Sequence, residues 1–160
     1  MKYIPKLYLE STIFNFYFLE KESQKREDTH KLFDAINTGK YTAFTSEYVR
    51  SELVLDSPTK YQKMKGLIDK YVTNIVSFNE VIDIFAEVYI EKGIIPLKYL
   101  ADAKHIAAAT LHGLDFVVSY NMGHVVKLKT MIGTGFANLH HGYRQIGLCT
   151  PKEIVEYDAD

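Results

Sequence analysis

A chain of 160 residues, 47% hydrophobic and 24% charged, is long enough to bury a core without staples and has the balance of an ordinary globular domain. Its formal net charge of −1 argues against a broad electrostatic nucleic-acid platform and leaves only local basic clusters: Lys60, Lys63, Lys65 and Lys70, and Lys127 and Lys129 with Arg144, His140 and His141. The single cysteine, Cys149, excludes a disulfide framework. No apolar run is long enough to span a membrane, and Glu10 interrupts the first apolar stretch before it could serve as a signal peptide, so a cytoplasmic protein is expected.

In chain order, Lys6–Leu9 reads as a short strand, followed by Glu10-Ser11-Thr12 and a helix carrying Ile13, Phe14, Phe16, Tyr17 and Phe18. Residues 20–28 are charged and read as a link to a helix through Leu32, Phe33 and Ile36, which Gly39 ends. Residues 41–44 read as a second strand. Ser46 caps a helix whose buried positions are Val49 and Leu53, which puts Glu52 beside its core face. After Pro58, an amphipathic helix runs through Tyr61, Met64, Leu67, Ile68 and Tyr71, and Ile75-Val76 marks a third strand. Asn79 caps the next helix, with Val81, Ile82, Phe85, Val88 and Tyr89 in helical spacing before Gly93. Leu100, Ala103, Ile106, Ala107, Thr110 and Leu111 define a helix with a small-residue face that Gly113 stops, and residues 115–119 are a buried strand. Residues 124–129 are expected to form a short helix, Gly133 and Gly135 a loop, residues 146–149 a last strand and residues 151–155 a final turn. Strands alternating with helices imply an α/β fold with a parallel central sheet of four to five strands and helices on both faces.

In such a sheet the strand ends and helix starts converge on one edge, where ligands bind. Glu10 falls at the end of the first strand, Asp102 in the first turns of a helix, and Asn121 just beyond the strand at 115–119. Four pieces in register resemble the PIN domain family, metal-dependent ribonucleases that include VapC-type toxins. They are Glu10-Ser11-Thr12 after the first strand, Thr45-Ser46 followed by a helix bearing Glu52, Asp102-Ala103 with Ile106-Ala107-Ala108-Ala109, and Ser119-Tyr120-Asn121. The resemblance runs from about Leu7 to Ile154. It implies a single PIN-like domain over residues 1–160 and a Mg²⁺- or Mn²⁺-dependent endoribonuclease, a hydrolase acting as the toxin of a type II toxin–antitoxin pair. An RNA substrate, a small antitoxin and a homodimer follow from it as partners.

The resemblance assigns Glu10, Glu52, Asp102 and Asn121 as catalytic metal ligands. Oxygen donors at one sheet edge suit a hard divalent cation, which relieves the repulsion among their charges. Ser11, Thr12, Ser119, His105 and His124 are expected to stand behind them and orient ligands or waters. The sequence departs from the family where Glu10 replaces the commoner Asp and Asn121 brings no charge. If Asn121 lies outside the site, Asp115 or His124 are the nearest substitutes. Two other readings use the same acids: a degenerate PIN scaffold that binds RNA or protein without cutting, and a metal-dependent phosphoesterase acting on small substrates. His140-His141 lacks partners at zinc spacing, and no phosphate-binding glycine motif or nucleophile elbow occurs.

Overall fold

The computed structural model describes residues 2–121 and 123–157. Five strands, β1 (Lys6–Leu9), β2 (Thr42–Ser46), β3 (Val72–Val76), β4 (Phe116–Val118) and β5 (Gly147–Cys149), form one sheet in the order β3-β2-β1-β4-β5, every neighbouring pair parallel. β1 is central, and Leu7, Tyr8 and Leu9 are fully buried, as expected of a strand covered on both faces and apolar without alternation. Among the described residues eight α-helices accompany the strands, seven between strands and one after the last: α1 (Ser11–Tyr17), α2 (Gln24–Asn37), α3 (Glu47–Asp56), α4 (Pro58–Tyr71), α5 (Glu80–Glu91), α6 (Leu100–Leu111), α7 (Leu128–His140) and α8 (Pro151–Tyr157). α5, α6 and α7 pack together, and α1, α2, α3, α4 and α8 form a second group, so helices cover both faces. No helix among the described residues is long and apolar enough to cross a membrane.

Local signals set most boundaries. The Ser23, Ser46, Ser57 and Asn79 side chains each accept a backbone N–H at the start of a helix, and Pro58 opens α4 where its missing N–H is harmless. Gly93 and Gly113, at φ of 71° and 68°, end α5 and α6 in the left-handed region. Part of the charged segment expected to be a linker is instead the first turn of α2, which begins at Gln24.

The last quarter of the chain differs from expectation. Residues 124–127 are turn, and the helix starts at Leu128 and continues through Gly133 and Gly135, which were expected to open a loop. The reason is packing. A Cβ at Gly133 would lie 2.8 Å from Ile94 Cγ2, so glycine lets α7 approach the segment after α5 at the usual helix-interior cost of about 1 kcal/mol. Behind this contact lies a closed polar knot. Tyr89 donates to Asn138, whose amide nitrogen donates to Thr110 and to the Arg144 carbonyl, joining α5, α6 and α7. The residues expected to form a final turn are α8.

Candidate metal centre

The chain runs outward from β1 to β2 and β3, then returns across the sheet to β4 and β5, so the strand order reverses at β1, and the carboxyl end of β1 is where sheets of this kind place their ligands. Glu10 follows β1 immediately and is bonded through its N–H to the Val118 carbonyl of β4 at 3.2 Å. Its side chain is 6% exposed. The Thr12 and Ser119 hydroxyls both donate to Glu10 Oε1, at 2.6 and 2.7 Å. Those hydroxyl oxygens in turn accept the backbone N–H groups of Tyr120 and Asn121, locking β4's exit loop to β1's.

Glu52 projects from α3 toward the same edge. Its Oε1 accepts from the Ser11 hydroxyl at 2.6 Å and from His105 Nε2 at 2.8 Å. His105 is 1% exposed, and its Nδ1 meets the Tyr8 hydroxyl at 2.6 Å, which meets Ser46 Oγ at 2.7 Å. An ionised Glu52 fixes a proton on Nε2, leaving Nδ1 of the neutral ring to accept from Tyr8. Ser46 thus has two jobs, capping α3 and ending this buried chain.

Asp102 lies in the first turn of α6, where the helix dipole favours its charge, and its Oδ2 accepts the Asn121 amide at 3.1 Å. Asn121 Oδ1 accepts the His124 N–H at 3.2 Å. Asn121 therefore belongs to the cluster, but it offers Asp102 its NH₂ group and turns its carbonyl oxygen into the following turn. The His124 ring stacks on Tyr99, and its field acts on Asp102. Asp115, the alternative fourth member, is at the opposite end of β4 and is excluded by position.

The electrostatics split the acids. Burial alone would raise the Glu52 pKa, but the hydrogen bond and charge of His105 and the Ser11 hydroxyl outweigh it, so Glu52 titrates below its ordinary value. Burial pulls His105 down, but the Glu52 hydrogen bond and the fields of Glu52, Glu10 and Asp102 win and its pKa is raised. Asp102 goes up because burial, aided by the Glu10 charge, exceeds the opposing pull of His105, His124 and Asn121.

Glu10, Glu52 and His105 carry potential ligand atoms within 4.8 Å of one another. Both ring nitrogens of His105 are already engaged, so it serves the site better by holding Glu52 than by binding a cation. The carboxylates are the reverse case. Protein donors fall on one oxygen of each, and among the described residues Glu10 Oε2, Glu52 Oε2 and Asp102 Oδ1 receive no hydrogen bond. Unspent carboxylate oxygens are the donors a hard divalent cation prefers; Glu10 and Glu52 belong to the close group, and Asp102 stands outside it. The sequence reading missed Tyr8. The available signal was its position two residues before Glu10, on the same face of a strand.

The fold is that of a PIN-like α/β domain. No family model and no curated protein matches the sequence. Among solved structures, the chain is similar to one in the complex of VapBC2 from Rickettsia felis bound to a DNA fragment from their promoter, with a TM-score of 0.60 over 91% of this chain and 98% of that one. At 10% identity the likeness is one of fold.

Proposed function

We propose that residues 1–160 form a single-domain, Mg²⁺- or Mn²⁺-dependent endoribonuclease, the toxin half of a toxin–antitoxin pair that acts in the cytoplasm. The observation that carries this reading is the one-sided hydrogen bonding of the three carboxylates near the sheet's switch point, each fixed through one oxygen while, among the described residues, the other accepts no hydrogen bond. Glu10, Glu52 and Asp102 would hold the cation. The chemistry it supplies when bound is activation of a water and neutralisation of charge on a phosphodiester. Thr12 and Ser119 orient Glu10. Ser11 and His105 hold Glu52, and Asn121 positions Asp102 through its amide rather than bringing a fourth charge.

The solved neighbour is a VapBC2 assembly on promoter DNA, which supports a small antitoxin as partner; the homodimer rests on the family resemblance. Cleavage of a mixed RNA pool in Mn²⁺, wild type against Asp102→Asn, tests the reading. Full cleavage by a folded Asp102→Asn protein defeats it. A non-cutting scaffold is the second reading, favoured by the internal pairing of Glu52 with His105 and of Asp102 with Asn121. Mn²⁺ binding without cleavage of any RNA would select it.

A further inference from the structure

A buried chain of hydrogen bonds leaves α3 at its cap and returns to it at Glu52. Ser46 Oγ meets the Tyr8 hydroxyl at 2.7 Å, Tyr8 meets His105 Nδ1 at 2.6 Å, and His105 Nε2 meets Glu52 Oε1 at 2.8 Å. Ser46 and Tyr8 are fully buried. The His105 ring is walled in by Tyr8, Tyr48 and Phe78, with centroids 5.6, 5.3 and 6.4 Å away, so the imidazole keeps these two partners.

The middle of such a chain can run either way, but its ends admit one direction. Ser46 Oγ accepts the Val49 N–H at 3.0 Å as the cap of α3, and among the described residues Tyr8 is the one acceptor for its own proton. A buried donor left unmade costs more than a made bond gains, so Ser46 donates to Tyr8. Burial holds the Tyr8 phenol well above its ordinary pKa, so it keeps its proton and donates it to Nδ1. The far end agrees, because an ionised Glu52 accepts and requires the proton on Nε2. Reversing the chain would strand the Ser46 proton.

Glu10, Glu52 and His105 are the group whose ligand atoms lie within 4.8 Å of one another, a mixed oxygen and nitrogen set of the kind Zn²⁺ takes. Nε2 ligates a cation only when bare, and the direction of the chain keeps a proton on it. We infer that Tyr8 is a specificity-determining residue that holds His105 as the Nε2–H tautomer, so that the centre offers oxygen alone and Zn²⁺ is denied the nitrogen that would widen its ordinary lead over Mn²⁺. The selectivity rests on the metal reading of the carboxylates. The tautomer rests on the hydrogen bonds alone.

Nitrogen NMR of histidine-labelled, metal-free protein tests the tautomer without metal or substrate, at a pH where the ring is neutral. Wild type should show His105 as Nε2–H, a measurement that needs no variant to fold. Glu52→Ala should keep that tautomer because Ser46 and Tyr8 still set it, whereas Glu52→Ala with Tyr8→Phe should populate both. In calorimetry, Tyr8→Phe should raise the ratio of Zn²⁺ to Mn²⁺ affinity by about 10-fold, since neither tautomer then strands one more group than the other. Melting temperatures identify a variant that has lost its fold. An Nδ1–H ring in wild type overturns the inference, as does a single unchanged tautomer in the folded double variant. So does an equal weakening of both ions by Tyr8→Phe, the mark of a merely structural residue. Binding of neither ion by wild type would sink the metal reading and the selectivity with it, while Nε2–H spectra that depend on Tyr8 would leave its hold on the ring standing.

Discussion

The sheet carries carboxylates at both ends, and they are treated in opposite ways. At the amino end of β4, Asp115 has both oxygens occupied: Oδ2 accepts the Tyr3 hydroxyl and the Lys6 N–H at 2.7 and 2.8 Å, and Oδ1 accepts Arg144 at 3.2 Å. Arg144 also donates to the Gly113 carbonyl, so this acid ties the chain's start to the loops flanking β4. At the carboxyl end, Glu10, Glu52 and Asp102 each accept donors from the described residues on one oxygen only. The same functional group is a rivet where it is saturated and a candidate ligand where it is half-satisfied. Proximity of acids alone does not separate the two cases, whereas counting donors per oxygen does.

The largest expected effect separates the ends by activity. Asp102→Asn should reduce Mn²⁺-dependent RNA cleavage by on the order of 100-fold or more, beyond the 10–100-fold typical of groups behind a ligand. It should leave the metal-free melting temperature unchanged or higher. The sign follows from the raised Asp102 pKa: the fold disfavours its ionised form, a cost present at neutral pH that disappears as pH falls below the ordinary carboxyl value. A large fall in stability without metal would put Asp102 with the rivets.

Asp115→Ala should do the converse. Losing charge-assisted bonds to Tyr3, Lys6 and Arg144 should cost about 2 kcal/mol in a denaturant titration while cleavage per folded molecule is retained. Loss of activity in folded protein would end the contrast.

His105→Gln should weaken Mn²⁺ binding by about 10-fold in calorimetry, because Glu52 loses the donor that aims it. Its stability deficit should depend on pH. The raised His105 pKa makes that group's contribution complete below its ordinary 6.5 and lost as pH rises through the folded value. The lowered Glu52 pKa makes its contribution present above 4.5 and lost as pH falls through the folded value. Wild type and variant should therefore differ most between those two pH values and converge on either side. A flat difference would mean that the pair has no electrostatic part.

The smallest effect concerns Asn121→Asp. Replacing an amide donor 3.1 Å from Asp102 with a carboxylate should lower the metal-free melting temperature and tighten Mn²⁺ binding. A variant that moves neither quantity would place Asn121 outside the centre.

Much of the sheet edge was legible from residue order, because a buried strand followed by an acid and hydroxyls places Glu10 whatever the rest of the chain does. Ser46 and Asn79 were readable as caps for the same local reason. What was not legible depends on contacts distant in sequence. Gly133 and Gly135 look like loop residues until Ile94 and Gln145 are seen pressing on them. Asn121 reads as an oxygen ligand until its amide is found oriented by the His124 N–H. The role of Tyr8 requires His105, which is 97 residues away along the chain.

The strand order also sets when the site can exist. The hydrogen bond from Ser119 to Glu10 spans 109 residues, and β1, which ends just before Glu10, is made well before its β4 neighbour at Phe116–Val118. Before that segment is synthesised, β1 has an open side, Glu10 lacks one of its two hydroxyl donors and Asp102 lacks its amide. Long-range parallel pairing of this kind forms slowly. A growing chain thus carries Glu10 and Asp102 without these partners until β4 and the residues that follow it have been made.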